Sequence, residues 1–348
     1  MRDPNESGGW RLARPDRRDR RAMLRILAVG GAAGVAWKLG LFSRDGAGPV
    51  TRTRVLLGTW IHLTVLGEDR DEAAAAAEAT LERMATLERQ LSRYRADSEV
   101  SQLNRTGRLD QASPELVALL TLASRISDLG DGAFDVTIQP VVDLYRDRRG
   151  DQLEAPRPGE IERALDSVGR RALSLQGRSI ALLRDGMSIT LDGIGKGYIV
   201  DRGVEILRSR GFGDVFVEAG GDLVASGDKG TDGAWRVGIR HPRPGLTLHS
   251  SFHARDVAVA TSGDYMQPFT DDYRQHHILD PRSGRSSPEL ASSTVLAPDA
   301  ATADALATLT MVLGPARGQE LLEGLSGVEG CFIAKDLQVT RTTGFPVA

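Results

Sequence analysis

Strand-like and helix-like segments follow one another along this chain without a regular alternation. Residues 55–66 are rich in apolar and β-branched side chains, which predicts a strand or hairpin arm broken at Gly58-Thr59. Residues 71–91 place apolar side chains at helical spacing, and Ser113-Pro114 are the cap and first-turn residues of a second helix. A doubly wound parallel sheet requires a steady strand–helix alternation. The observed order therefore predicts an α+β fold, a mixed-sheet body with interleaved helices.

The rest of the pattern predicts elements between residues 166 and 340. Helices are expected at 197–210, 299–313 and 315–325, strands at 214–217, 235–240, 257–260 and 294–296, short strands around turns within 166–183, and a terminal hairpin at 330–334 and 337–340. Residues 45–51 are the expected linker, and residues 147–158 are expected to form a charged surface loop.

Composition excludes several classes of protein. Of the 348 residues, 41% are hydrophobic and 26% are charged, which is typical of a folded protein and excludes wholesale disorder. The single cysteine, Cys331, excludes an intramolecular disulfide framework and a cysteine-based metal cluster. The formal net charge of −3 argues against a nucleic-acid binder that works by bulk electrostatics, so we expect no nucleic-acid partner.

The N-terminal segment differs from the rest of the chain in charge. Residues 1–48 carry ten Lys and Arg residues against five Asp and Glu residues. Arg20-Arg21, followed by a weakly apolar run at 26–42, resembles a twin-arginine export signal. Lys38 interrupts the run, which is short for a membrane span of about 20 apolar residues. The alternative is a basic arm followed by an amphipathic or membrane-anchoring helix.

This segment is predicted to be a targeting segment that precedes the folded domain. We expect residues 1–48 to be a signal or anchor with its linker and residues 49–348 to be the functional domain. The protein would then be exported to the periplasm or to the outer face of the cytoplasmic membrane. An uncleaved segment would also associate the protein with that membrane.

A glycine-rich turn, DGIGKGY at 192–198, follows a strand-like run and opens a predicted helix. Its three glycines let the backbone approach a ligand closely, and the free N–H groups at a helix start favour an anion. Lys196 adds a positive charge that is able to meet a phosphate. The spacing is not that of a P-loop, and the trailing Ser or Thr is missing. The alternative is a tight turn with Lys196 in solvent.

Hard oxygen ligands are predicted on the helix at 299–313. Asp304 and Thr308 are four residues apart, so they share one face of a helix. A carboxylate and a hydroxyl suit Mg²⁺ better than zinc. The alternative is the polar stripe of an amphipathic helix. The histidines form neither an HxxxH nor an HExxH pattern, so no histidine-based metal site is expected.

Two other segments carry side chains suited to a planar ligand. Tyr94 and Phe134 are able to stack on a ring, and Asp135 is able to hold a hydroxyl or a ring nitrogen. Core packing and turn capping are the alternatives for each residue. The Gly220-Gly221 pair either lets the backbone touch a flat ligand or forms a simple hairpin bend.

The motifs identify a family through their order along the chain. SRYRADSEVS, DGAFDVT, DGIGKGY, EAGGDL, ATSGDY, HHILDPRSG and ADALAT follow one another as in the FAD:protein FMN transferases, the ApbE family, which residues 55–313 resemble. The resemblance implies a two-lobed architecture. It also implies an Mg²⁺-dependent enzyme that splits FAD and attaches FMN by a phosphoester to Ser or Thr of a target flavoprotein, with release of AMP.

The resemblance also implies site residues, which we transfer position by position. Contacts to FAD are expected from Tyr94, Ala133, Phe134, Asp135, Thr190, Lys196 and Ile278, and metal ligation from Asp304, Thr308 and the backbone carbonyl of Gly193. Thr190 stands where the family pattern has Asp, and Asp192 lies two residues later. We expect His277 to accept the proton of the attacking hydroxyl, because the unperturbed pKa of histidine is near neutrality, with Asp264 as second candidate.

Other functions fit the same motifs. Some members of the family hydrolyse FAD to FMN and AMP without an acceptor protein. An exported protein that stores FAD, or a non-catalytic accessory factor of a membrane redox complex, would keep the same fold. For the transferase, the expected partner is a flavoprotein subunit of such a complex.

Overall fold

The computed structural model describes residues 48–147, 156–230, 233–245 and 248–347. The predicted export segment and most of the predicted loop at 147–158 lie outside these residues. No helix among the described residues is both long enough and apolar enough to cross a membrane.

Fifteen strands are found in the described residues. In chain order they are β1 (Val50–Leu56), β2 (Thr59–Val65), β3 (Arg108–Leu109), β4 (Leu173–Gln176), β5 (Ser179–Leu182), β6 (Val215–Ala219), β7 (Asp222–Ser226), β8 (Trp235–Arg240), β9 (Leu248–Ala254), β10 (Val257–Gly263), β11 (Leu279–Asp280), β12 (Arg285–Ser286), β13 (Leu290–Ala297), β14 (Glu329–Ala334) and β15 (Val339–Arg341). Eight of them form the main sheet, in the order β1-β2-β6-β7-β10-β13-β14-β15.

The α+β prediction is confirmed, and the main sheet is antiparallel at every strand pair, where the sequence predicted a mixed sheet. Short turns are one reason. The two-residue turns Leu57-Gly58 and Gly220-Gly221 reverse the chain between neighbouring strands, and both residues of each turn have positive φ. A parallel neighbour would need a long crossover instead.

Seven α-helices accompany the sheet within the described residues. They are α1 (Arg70–Leu91), α2 (Glu99–Thr106), α3 (Pro114–Leu129), α4 (Gln139–Arg146), α5 (Pro158–Leu165), α6 (Gly195–Ser209) and α7 (Ala300–Glu323). The helices predicted at 71–91 and after Ser113 are confirmed, and α6 begins two residues earlier than predicted. The two helices predicted at 299–313 and 315–325 are confirmed. They are numbered together as α7, but Gly314 between them has a non-helical backbone (φ 79°, ψ 175°) directly before Pro315.

The main sheet is covered on both faces. On β2, alternate residues Ile61, Leu63 and Val65 are fully buried in the main core, which also takes in α1, α6 and α7. The separate β8–β9 hairpin contributes Trp235 and Phe252 to a second core with side chains from the opposite sheet face. Strand β13 is buried at every position because it lies between these layers.

Helices α6 and α7 meet at their N-terminal ends, and this contact positions the candidate site. The carboxylate of Asp201 on α6 accepts hydrogen bonds from the backbone N–H groups of Ala300 (2.8 Å) and Ala301 (2.9 Å), which caps α7. A Cβ atom at Gly197 would lie 2.1 Å from the backbone oxygen of Ala300. Only glycine therefore allows the two helices to approach this closely.

We expect Gly197→Ala to lower the free energy of unfolding by about 1–3 kcal/mol, because its methyl group would meet the fixed backbone of α7. Gly159→Ala on α5 is the matched control, since a Cβ there meets no atom within 4 Å. It should change stability by less than about 1 kcal/mol, in the stabilising direction. Urea unfolding of both variants checks this expectation, and equal effects would contradict it.

Candidate functional site

The loop before α6 is hydrogen-bonded to the segment that follows Ala133, Phe134 and Asp135, three of the predicted FAD contacts. The backbone N–H of Thr190 donates to the carbonyl of Val136 at 2.8 Å. The Thr190 hydroxyl accepts a hydrogen bond from the backbone N–H of Asp192 at 3.1 Å. This local turn leads the chain through Asp192 and Gly193 into the first turn of α6. The Thr190 side chain is buried and contributes to the shape of the loop.

The three predicted metal-ligating residues lie together. A Cβ at Gly193 would be 2.9 Å from Thr308 Oγ1 and 3.4 Å from the ring of Phe134, so Gly193 lies directly against both. Asp304 lies one turn before Thr308 on α7, and its Oδ2 accepts a hydrogen bond from the backbone N–H of Gly197 at 3.1 Å. Thr308 Oγ1 is 3.1 Å from the hydroxyl of Ser262 on β10.

Opposite charges meet beside these oxygens. The ammonium group of Lys196 forms an ion pair with the fully buried carboxylate of Asp222. Burial alone would lower the pKa of Lys196, but the negative charges of Asp222 and Asp304 outweigh it and raise the pKa. Burial, together with the charge of Asp222, raises the pKa of Asp304 to about 7. For Asp304, burial and the charge of Asp222 therefore outweigh the opposing effects of Lys196 and of the backbone N–H of Gly197.

The donor set fits a hard divalent cation. It consists of one carboxylate, one hydroxyl and one backbone carbonyl, all of them oxygen ligands. No cluster of three or more His, Cys, Asp or Glu side chains suited to a metal ion occurs in the described parts of the chain. A metal at Asp304 would therefore keep open positions for water or substrate oxygens. Mg²⁺ usually binds in this way, through one or two carboxylates plus phosphate and water.

The predicted FAD-contacting residues differ in exposure. Tyr94 is 64% exposed, whereas Ala133, Phe134 and Ile278 are buried in the main core. The guanidinium groups of Arg93 and Arg146 lie over the Tyr94 ring, 4.1 and 5.5 Å from its centroid, and the rest of the ring faces solvent. Phe134 adjoins Gly193, so its segment borders the metal-ligating residues.

Asp135 is engaged by its own chain. Its Oδ1 accepts hydrogen bonds from the backbone N–H (2.9 Å) and the hydroxyl (2.7 Å) of Thr137, and its Oδ2 accepts one from the backbone N–H of Arg170 (2.8 Å). The carboxylate caps the short 3₁₀ helix Val136–Ile138. This gives Asp135 a clear structural role, while its contact with FAD stays a prediction.

The two adjacent histidines have different environments. His276 is fully buried, with Nε2 donating to the carbonyl of Ser287 (3.0 Å) and Nδ1 accepting from the backbone N–H of Ile278 (3.3 Å). Nδ1 of His277 is buried without a hydrogen-bond partner. Burial lowers the pKa of His277 to about 3, well below the near-neutral value that motivated its choice as proton acceptor.

Asp264 is held in an ion pair. Arg243 donates to both oxygens of this fully buried carboxylate, at 2.7 and 3.0 Å, and the ammonium group of Lys335 lies 4.0 Å away. Burial raises the pKa of Asp264, and the bonds from Arg243 oppose that rise. A carboxylate with both oxygens engaged is a poor proton acceptor, so Asp264 stays the second candidate.

Comparison with known proteins identifies the family. The family model described as "ApbE family" matches residues 57–332. An FAD:protein FMN transferase of Vibrio cholerae is 33% identical over 242 residues, which cover 67% of this chain and 72% of the relative. The chain belongs to the ApbE family. A second family member, the FAD:protein FMN transferase of Treponema pallidum, is 30% identical over 325 residues, which cover 84% of this chain and 87% of the relative.

Solved ApbE structures share the fold. The flavin transferase ApbE from Vibrio cholerae matches with a TM-score of 0.74 and 28% identity, over 86% of this chain and 98% of that one. An ApbE protein from Thermotoga maritima matches with a TM-score of 0.77 and 30% identity, over 85% and 97% of the two chains. The large antiparallel sheet with its helices is therefore the architecture of ApbE proteins.

The sequence analysis assigned no role to four charged residues beside the site. These are Arg93, Arg146, Glu218 and Asp222. Glu218 and Asp222 belong to the EAGGD motif, whose placement directly after a strand was the available signal. Glu218 accepts a hydrogen bond from the backbone N–H of Gly221 (2.7 Å), and burial raises its pKa to about 7. Arg93 and Arg146 are brought to Asp192 only by the folded chain.

Stability should fall on acidification because of His276. Burial lowers its pKa from 6.5 to about 4, so between these pH values the unfolded chain binds a proton that the native chain does not. The free energy of unfolding then decreases by about 1.4 kcal/mol per pH unit as the pH falls. We expect unfolding of His276→Gln to take up about one proton fewer than unfolding of wild type, so its free energy of unfolding depends less steeply on pH. Urea unfolding at several pH values measures this slope. His253→Gln, at an exposed position of β9, is the control. Identical slopes for His276→Gln and wild type would refute the expectation.

Proposed function

We propose that this chain is an Mg²⁺-dependent FAD:protein FMN transferase that releases AMP and attaches FMN through a phosphoester to Ser or Thr of an acceptor protein. The observation that carries the proposal is the meeting of Gly193, Asp304 and Thr308 beside the Lys196–Asp222 pair. Family membership supports the same reaction, because the Vibrio cholerae and Treponema pallidum relatives carry that name.

The chain's own residues mainly position and neutralise charge. Phosphoryl transfer asks for little covalent chemistry from a protein, so alignment of substrate and electrostatic stabilisation supply most of the rate. Asp304, Thr308 and the carbonyl of Gly193 would hold Mg²⁺, which when bound offsets negative charge on the diphosphate. Lys196 supplies a fixed positive charge, and the exposed Tyr94 ring offers a surface on which a planar group can stack.

The target hydroxyl attacks the phosphorus on the FMN side of the FAD diphosphate. A new P–O bond forms to the Ser or Thr oxygen while the bond to the AMP phosphate oxygen breaks, and AMP leaves with the bonding electron pair. The hydroxyl proton passes to His277, whose buried Nδ1 has no partner of its own. The negative charge of a bound diphosphate favours the protonated imidazole and raises its low pKa during the reaction.

Export forms part of the proposal. The paired arginines and weakly apolar run within residues 1–48 favour the twin-arginine route to the periplasm or to the outer face of the cytoplasmic membrane. An acceptor on a membrane redox complex agrees with that location. Retaining the segment as an anchor would keep the enzyme close to such a complex.

The metal assignment predicts the effects of two substitutions on α7. Asp304→Asn should lower AMP release by at least about a hundredfold, because it removes the charged ligand. Thr308→Val should also lower the rate, whereas Thr308→Ser, which keeps the hydroxyl, should retain most activity. FAD, Mg²⁺ and a candidate acceptor are incubated with each variant, AMP and FMN are followed by chromatography, and the acceptor by intact mass.

The outcome separates the candidate functions. An acceptor that gains one FMN with equimolar AMP supports the transferase. Free FMN and AMP without an acceptor indicate the hydrolase. FAD left intact by the wild-type chain at saturating Mg²⁺ refutes both and favours an FAD-holding protein. Wild-type activity in Asp304→Asn would refute the metal assignment, provided that circular dichroism shows both proteins folded.

Proton transfer gives a separate prediction. His277→Ala should lower the rate of AMP release by about 10²–10⁴-fold if its imidazole acts as the general base. His249→Ala, on β9, is the control because burial lowers the pKa of that imidazole too, yet it lies outside the site. Full activity of His277→Ala across about pH 6–9 would leave His277 with a structural role only.

A further inference from the structure

Four side chains beside the loop before α6 form one hydrogen-bonded group, which we call the Tyr94 network: Arg93, Tyr94, Arg146 and Asp192. The Tyr94 hydroxyl lies 3.1 Å from Asp192 Oδ2, to which it donates. It accepts from Nη2 of Arg93 at 2.6 Å and from Nη2 of Arg146 at 2.8 Å. A phenol has one donor and can accept two such bonds, so this hydroxyl is saturated.

The two arginines of the Tyr94 network are not equivalent. Arg93 donates to Asp192 Oδ2 through both Nε (3.0 Å) and Nη2 (2.8 Å), and its side chain is only 9% exposed. The Arg146 guanidinium lies 3.8 Å from the same carboxylate oxygen and is 23% exposed. Its other side-chain acceptor is the neutral amide oxygen of Gln267 at 3.2 Å. Arg93 therefore neutralises Asp192. The charge of Arg146 also acts on Asp143, one turn earlier on α4, but among the described residues no carboxylate lies closer to Arg146 than 3.8 Å.

Through its contact with Asp192, Arg146 lies next to the candidate metal ligands. Asp192 immediately precedes Gly193, which lies against Thr308. Among the charged groups already described here, Lys196 is matched by Asp222 and Arg93 by Asp192. Arg146 is thus the cation best placed to meet a further anion on this side of the loop.

We propose that Arg146 binds a phosphate group of the nucleotide substrate, which under the proposed function is FAD. A guanidinium presents several N–H donors in one plane and matches phosphate oxygens in a bidentate manner. Nη2 of Arg146 is held in place by Tyr94 and Gln267, so little ordering of the side chain is needed on binding. This inference rests on the proposed function only for the identity of the nucleotide.

Equilibrium binding of FAD tests the proposal without turnover. Wild type, Arg146→Gln and Arg146→Lys are titrated with FAD in EDTA and followed by flavin fluorescence, at about 0.05 M and about 0.5 M NaCl. We expect Arg146→Gln to weaken binding about tenfold at low salt, the loss of one phosphate contact. The difference in FAD affinity between Arg146→Gln and wild type should become smaller at high salt, because salt screens the attraction between the guanidinium and the phosphate. Arg146→Lys should recover part of the affinity.

Two controls separate phosphate binding from a structural role. Arg163→Gln, at an exposed position of α5 where the side chain donates to the carbonyl of Gly159, removes a positive charge that is not part of the Tyr94 network and should bind FAD as wild type does. Tyr94→Phe removes the hydroxyl that Arg146 contacts but keeps the ring, so it measures how much FAD affinity depends on the contact between these two side chains. If Arg146 acted only by positioning Tyr94, Arg146→Gln would weaken binding equally at both salt concentrations. That result, or unchanged FAD affinity in Arg146→Gln, would overturn the proposal.

The same experiment distinguishes this proposal from the proposed function. Wild-type chain that binds FAD but releases no AMP with Mg²⁺ would refute the transferase and leave the role of Arg146 supported by its salt-dependent effect. Wild-type chain that transfers FMN while Arg146→Gln binds FAD equally well would refute only the role of Arg146. Wild-type chain that does not bind FAD would overturn both.

Discussion

The contact between the N-terminal ends of α6 and α7 positions the candidate site. Gly197 lies against the backbone of Ala300, and Asp201 caps α7 from the neighbouring helix. The residues on either side of this contact, Lys196 and Asp304, become neighbours as a result. The glycine motif therefore has a structural role besides its predicted contact with a ligand, because Gly197 allows the helices to meet closely.

Buried charge then determines what this site can bind. Asp222 and Asp304 lie in the interior with a single ammonium group between them, and burial raises the pKa of Asp304 to about 7. A cation bound to Asp304 would favour its ionised form and lower that pKa. Near pH 7, a metal ion that bound to this carboxylate would therefore displace a proton from it. An anionic diphosphate would be poorly accommodated here without that cation and without positive side chains nearby.

The sequence predicted those parts of the molecule that depend on local spacing. Asp304 and Thr308 are four residues apart, so helix geometry places them on one face, and the glycine-rich turn is visible in the sequence itself. The structure brings these two features together. Burial and long-range contacts could not be predicted in the same way. The ion pair of Arg93 with Asp192 joins positions 99 residues apart, and no periodic pattern links them. The buried environment of His277 likewise depends on how the loop packs, so the ordinary pKa of histidine was a poor guide.

The departure at Thr190 now has a structural context. Its hydroxyl accepts the backbone N–H of Asp192, so it forms a turn that a carboxylate at the same position could also form. The carboxylate of Asp192, two residues later, instead faces Arg93 and the Tyr94 hydroxyl. This chain therefore places its loop carboxylate where it orders two arginines. Replacing Thr190 with Asp would add a second negative charge to the loop while Asp192 remained paired with Arg93. Asp192, Arg93 and Arg146 therefore act as one hydrogen-bonded group. Removing the charge of one of these side chains changes how far the charges of the other two are neutralised.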